Sequence, residues 1–266
     1  MAENAANTAS ADDSRTRGLL LSLLGRDPSL VDDMISTFAA VAVYPQTQPA
    51  ITIFCGDSFL VQQPDGQWWD TSSPFSPKIV TSAGVISGLA VFNCASSGNL
   101  AYALLPNVIV LCDKAFGRLG GGDTIGSLRQ TTLLNQFLDN YNVLSGTLLH
   151  ELLHIEGNGR IVDEQISLSP NSAPVTAYGY RYCAWLTLQG PDGVALTNAD
   201  SLTLIAIGLY LANTAWIFGF GMAPSQPTFP PPLPDFGAAP MDTSPKRFRR
   251  WDRATRRDTR FLSSGF

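Results

Sequence analysis

The chain's only two histidines, His150 and His154, stand in one five-residue string, HELLH, with Glu151 between them. On a helix, side chains four positions apart share a face, so both imidazoles can point at one ion. Glu151, one residue past the first imidazole, can then reach a water activated at that ion and take its proton. The chemistry this spacing encodes is metal-assisted hydrolysis. The bland reading of the same five residues is a solvated amphipathic helix carrying two unrelated histidines.

A hydrolytic zinc centre uses three protein ligands and leaves a fourth position for water. Histidine is exhausted by the pair, so the third ligand must be a carboxylate or a cysteine from elsewhere. Glu156 lies two residues past His154, and a continuing helix would point it away. Asp163 lies nine residues past, beyond Gly157-Asn158-Gly159, which can end the helix and turn the chain back. Asp163 is therefore the best-placed third ligand, with its neighbour Glu164 as the fallback.

These residues need a scaffold, and the second half of the chain reads as helical. Helices are expected over Ser127 to Tyr141, Val143 to His154, Ala177 to Leu188, and from Asn198–Ser201 to about Ala215. Before them, Ile51 to Cys55, Ala90 to Cys94 and Asn107 to Cys112 are short apolar or β-branched runs bounded by Gly, Pro, Asn and Ser, which read as strands. Trp68 and Trp69 fall in a turn-rich stretch, as packing residues or a strand edge. Ser29 is a plausible cap for an apolar helix reaching Ala40 to Val43. Gly120 to Gly122 reads as a flexible loop, not a phosphate cradle, because no Lys-Ser/Thr follows it. Leu202 to Phe220 is nearly long enough to span a bilayer, but Gly208, Asn213 and Gly219 weaken the run, so a buried core helix is the preferred reading.

At 266 residues with 45% apolar content, the chain can fill a sizeable core. Its net charge of −5 hides an asymmetry: eight Lys/Arg against two Asp stand between Lys246 and Phe266. The body is therefore acidic, which excludes nucleic acid as a natural partner. The first seventeen residues are polar and read as a disordered leader. Residues 222–266 read as a proline-rich and then basic disordered tail, which leaves 18–221 as the folded domain. No secretory signal is visible, since Leu19 to Leu24 is too short for one. Cys55, Cys94, Cys112 and Cys183 match no paired-cysteine metal or redox motif, which leaves either disulfides or buried thiols.

The stretch HELLHIEGNGRIVD resembles the aspzincin metallopeptidases, the deuterolysin and peptidyl-lysine endopeptidase group, in which HExxH is followed by a glycine-containing loop and an aspartate ligand. Ala177-Tyr178-Gly179 resembles the family's Tyr-Gly pair, Asn198-Ala199-Asp200 its Asn-Ala-Asp string, and NVIVLCDKAF the segment preceding the active-site helices. The resemblance covers about Asn107 to Ala215. It implies a zincin-like α+β fold, with a small strand-rich lobe against a helical lobe carrying HExxH, and a Zn2+ held by His150, His154 and Asp163. It further implies Glu151 as general base, Tyr178 as donor to the oxyanion, and Asp200 in the pocket for the residue after the scissile bond, where a carboxylate favours lysine. An extracellular location and a polypeptide substrate follow from it too, with a monomer expected. Two departures stand out. Arg160, Ile161 and Val162 replace the family's Gly-Thr, and Tyr178 comes fifteen residues after Asp163 instead of three, so that Tyr180 or Tyr182 could stand in for it. The activity expected is zinc-dependent endopeptidase; the competing expectations are an idle zinc-binding effector and a membrane-anchored protein spanning at 202–220.

Overall fold

The computed structural model describes residues 1–9, 14–47, 51–64, 68–72, 78–80, 94, 100–104, 106–117, 125–129, 133–169, 172–211 and 213–223. The fold is mixed α+β with small sheets. Its centre is α8 (Ala199–Tyr210), whose residues from Ala199 to Leu209 are all buried. A helix with no polar face must be enclosed on every side, and here α1 (Ala2–Ala9), α2 (Ser14–Leu23), α6 (Leu144–Gly157) and α7 (Gly179–Gln189) enclose it. Helix α3 (Ser29–Thr47) packs in turn on α1 and α6.

Helix α6, which carries HELLH, lies between α8 and a sheet. Leu149 and Leu153 join the large cluster around α8. Leu148 and Ile155 pack instead with Ala103, Ile109 and Leu111 of the sheet, and Leu152 touches both groups. Two faces of the helix are thus apolar and the third is left for the histidines. Truncating a core leucine such as Leu153 to alanine would cost about 2–5 kcal/mol.

That sheet has the order β1-β6-β5, with β1 (Thr52–Cys55) parallel and β5 (Ala101–Leu104) antiparallel to β6 (Val108–Leu111). The central position of β6 explains its unbroken apolar run: Ile109 and Leu111 face α6, while Val110 packs with Phe59, Tyr102 and Cys112 on the other side. A second sheet joins β2 (Leu60–Gln62), β3 (Trp68–Asp70) and β4 (Lys78–Val80). Short helices α4 (Asp113–Gly117) and α5 (Ile125–Leu128) follow β6, and a 3-10 turn, Leu138–Tyr141, leads into α6. The hairpin β7 (Gln165–Ile166) and β8 (Val175–Thr176) precedes α7. A 3-10 turn, Val194–Thr197, precedes α8, and the hairpin β9 (Ala215–Ile217) and β10 (Phe220–Met222) follows it.

Several expectations are corrected. The leader is not without structure: α1 and the first turn of α2 lie within residues 1–17, and Ala2, Ala5 and Ala6 are buried against the core. These alanines gave no strong hydrophobic signal because their burial rests on close packing rather than on bulk. Ser127 to Tyr141 is not one helix; among the described residues there, only α5 and the 3-10 turn are helical, and Asn135 takes a left-handed conformation between them. The last helix stops at Tyr210, and the segment beyond it turns into the β9-β10 hairpin. Residues 202–220 therefore form no single span, and no helix among the described residues is long and apolar enough to cross a membrane. Trp68 and Trp69 lie in β3, the middle strand of the second sheet. Helix α3 begins at Ser29, but Asp27 does the capping, accepting from the Ser29 N–H and hydroxyl. The strand expected at Ala90 to Cys94 and the loop at Gly120 to Gly122 lie outside the described residues, apart from Cys94 itself, as do 224–266 of the tail. Of the cysteines, Cys94 and Cys112 form a disulfide, Cys55 is free and exposed, and Cys183 is free and buried.

Candidate metal centre

Helix α6 ends at Gly157, where Asn158 and Gly159 adopt left-handed conformations. The chain turns there and docks onto the start of α8: the Val162 N–H donates to the Thr197 carbonyl, and the Ala199 N–H donates to the Val162 carbonyl. This two-sided anchoring holds Asp163 over the histidine face of α6. The Nε2 atoms of His150 and His154 lie 3.1 Å apart, and Asp163 Oδ1 lies 3.0 Å from the first and 3.4 Å from the second. Tetrahedral ligands about 2.0–2.1 Å from a zinc ion stand about 3.3 Å from one another. The three atoms therefore fit one ion, and they form the metal-capable group of the described residues.

The outer contacts of each ligand favour the same use. His154 Nδ1 sits 3.0 Å from the Ile161 carbonyl, an acceptor, so the ring proton belongs on Nδ1 and the Nε2 lone pair faces the site. His150 Nδ1 faces Asp200 Oδ1 at 3.7 Å, an arrangement that favours a proton on Nδ1 of the neutral ring. Tyr178 donates its hydroxyl to Asp163 Oδ2 at 2.7 Å, leaving Oδ1 for the ion. His154 and Asp163 are almost fully shielded, while His150 is slightly open and Tyr178 is 43% exposed. The site is thus a buried cluster reached from the tyrosine side.

Five acidic or basic groups, His150, Glu151, His154, Asp163 and Asp200, crowd into this small space and act on one another. Burial lowers the pKa of His150, but the carboxylates of Asp163, Glu151 and Asp200 together outweigh it and raise the group to about 9. Burial works against the Asp163 carboxylate, and the two imidazoles overcome it, holding Asp163 far below the usual range. Glu151 is raised, chiefly by burial and also by Asp163, although both histidines and the Ala103 N–H on β5 oppose the shift. Its Oε2 is buried and has no hydrogen-bond partner among the described residues.

The other expected residues divide. Glu164 is not a ligand: its Oε1 accepts from the Thr197 hydroxyl on the far side of the chain. Tyr180 is buried in the core around α8 and Tyr182 packs beside Leu186, so neither replaces Tyr178. Asp200, expected in a substrate pocket, is buried behind His150, where its Oδ2 accepts from the Gly179 N–H. The contributions of Ile161 and Ala103 were invisible in the sequence because both act through the backbone. Asp139, which caps α7 by accepting from the Tyr180 N–H, was missed because it lies in a stretch that reads as helix interior. Comparison with protein-family models, curated proteins and solved structures finds no match.

Proposed function

We propose that the protein is a zinc-dependent endopeptidase with a zincin-like arrangement, in which His150, His154 and Asp163 hold the metal and Glu151 is the general base. The observation that carries this reading is the convergence of Nε2, Nε2 and Oδ1 within 3.4 Å of one another, each ligand oriented by a contact behind it. A zinc ion there would lower the pKa of a bound water toward about 7 and polarise a carbonyl.

The chain's own groups would do the rest. Glu151 Oε2, raised by burial and free of a partner, can accept a proton and later return it to a leaving amine. The Tyr178 hydroxyl, half-exposed beside Asp163, can donate to a developing oxyanion. A peptide is favoured as substrate because β5, an edge strand of its sheet among the described residues, runs beside Glu151. Its Ala103 N–H already points at that carboxylate, and an extended chain can pair along such an edge. The loop Arg160-Ile161-Val162, which departs from the resembled pattern, supplies the Ile161 carbonyl to His154 and anchors Asp163, which favours a working site over an idle one. The Cys94–Cys112 disulfide suits the oxidising, extracellular setting that the family resemblance implies.

Glu151→Gln tests the reading. Hydrolysis of a casein or peptide-library substrate should fall about 10²–10⁴-fold while zinc content stays at one ion per chain. Wild-type turnover in that variant, or a zinc-loaded wild type that cleaves nothing, would sink the assignment.

A further inference from the structure

Asp200 is the carboxylate that family resemblance assigns to substrate recognition, and its surroundings do not suit that task. The residue is 5% exposed, in the first turn of α8. Both of its oxygens are already directed at groups of the protein. Oδ2 accepts the Gly179 N–H at 2.6 Å, where Gly179 has a φ of +78° and begins α7. The Cys183 thiol approaches the same oxygen at 3.6 Å. Oδ1 faces His150 Nδ1 at 3.7 Å, longer than a direct hydrogen bond but close enough for the charge to be felt.

The position of Asp200 is itself fixed. Its neighbour Asn198 accepts the Glu164 N–H and donates to the Ala177 carbonyl and the Ser201 hydroxyl. One side chain therefore ties the start of α8 to the strand leaving Asp163 and to the segment that enters α7. Asp200 then reaches from this knot to two places at once: the back of a metal ligand, and the peptide group immediately after Tyr178. A carboxylate behind a metal-binding imidazole fixes which nitrogen carries the proton and makes the other a better donor to the metal. A carboxylate at a helix start also gains from the positive end of the helix.

We infer that Asp200 is a positioning residue, holding the His150 ring and the Tyr178 backbone in register, and that it does not select the substrate. The inference rests on the reading of the site as a zinc peptidase centre. It carries a consequence for specificity: with this carboxylate buried and engaged, Asp200 gives no preference for lysine after the scissile bond.

Asp200→Asn keeps the size and an acceptor for Gly179 while removing the charge behind His150. The variant should bind zinc about 10–100-fold more weakly in chelator competition. Its kcat/KM at saturating zinc should fall by one common factor across a peptide library, and its cleavage preference should not move. Unchanged zinc affinity in a folded variant, or a preference for lysine in the wild type that the variant loses, overturns the inference. If the variant does not fold, the zinc-loaded wild type decides. Two histidines give four ring nitrogens, and 15N spectra should show both Nδ1 atoms protonated with both Nε2 atoms on the metal. A His150 that binds through Nδ1 refutes the role given to Asp200. A wild type that binds no zinc at all refutes the peptidase reading instead, so the two failures are distinct.

Discussion

A proton and a metal would compete for His150, and the carboxylates around it set the terms. In the metal-free site this imidazole titrates at about 9, because Asp163, Glu151 and Asp200 together outweigh its burial. A metal binds only the neutral ring. At pH 7, about two units below that value, nearly every metal-free molecule carries the proton, so loading must expel it. The apparent zinc affinity at pH 7 should then lie about 100-fold below its alkaline limit, equivalent to ~2.7 kcal/mol. Between pH 7 and 8.5 the affinity should climb about tenfold per pH unit, and it should level off above about 9. The metal-free protein should show the opposite trend in stability. A folded-state pKa above the ordinary 6.5 contributes stability that is complete below pH 6.5 and is lost as the pH rises through about 9. Chelator competition across this pH range, with calorimetry in buffers of different ionisation enthalpy to count protons, measures the first effect. Thermal unfolding of chelator-stripped protein measures the second. An affinity that is flat from pH 7 to 8.5, with no proton released, would refute the claim that these carboxylates hold a proton on the ring.

Two structural variants probe the supports of the site. A Cβ on Gly157 would come within 2.8 Å of Ile161 Cβ and Cγ1, in the loop whose carbonyl holds His154. Gly157→Ala should therefore cost about 1–3 kcal/mol in denaturant unfolding and weaken zinc binding about 10–100-fold, against the stabilising sign expected for alanine within an unstrained helix; a more stable variant of unchanged affinity would show that the loop yields freely. Thr214 Oγ1 accepts the buried Leu133 N–H at 2.9 Å, joining the β9-β10 hairpin to the segment before α6. Thr214→Val leaves that N–H without an acceptor and should lower stability by about 1–3 kcal/mol, whereas an unmoved urea midpoint would mean another acceptor takes its place.

The grouping of His150, His154 and Asp163, which could hold a metal, was legible because its information is local. His150 and His154 share a helical face by spacing alone, and Asn158 and Gly159 announce the turn that makes Asp163 reachable. The strands at 52–55 and 108–111 were legible for a similar reason, as short β-branched runs with clear ends. What was hidden depended on tertiary packing. The N-terminal helices bury alanines that any surface helix would also tolerate. The run after Tyr210 is apolar enough to continue as helix, but Phe218 and Gly219 take left-handed conformations and the chain reverses. Asp200 reads equally well as a helix cap or a pocket charge, and only its distances to Gly179 and His150 show which groups it serves.

The spacing from Asp163 to Tyr178 shows how a departure in sequence can disappear in space. Tyr178 comes fifteen positions after Asp163, where the resembled pattern has three, and that gap alone would place the tyrosine anywhere. Yet the hydroxyl reaches Asp163 Oδ2 at 2.7 Å. The reason is that the intervening chain leaves and returns at nearly the same point. The Ala177 N–H donates to the Glu164 carbonyl, and the pairs Gln165–Thr176 and Ile166–Val175 follow outward. The extra residues form a hairpin whose base is closed by these bonds, so Tyr178 follows Asp163 in space almost as if they were absent. Asn198 locks the base from a third direction, holding both the Glu164 N–H and the Ala177 carbonyl. An insertion costs a site little when its two ends are pinned together. The separation of two residues along a chain is therefore a weak guide to their distance wherever the residues flanking the gap can bond to each other.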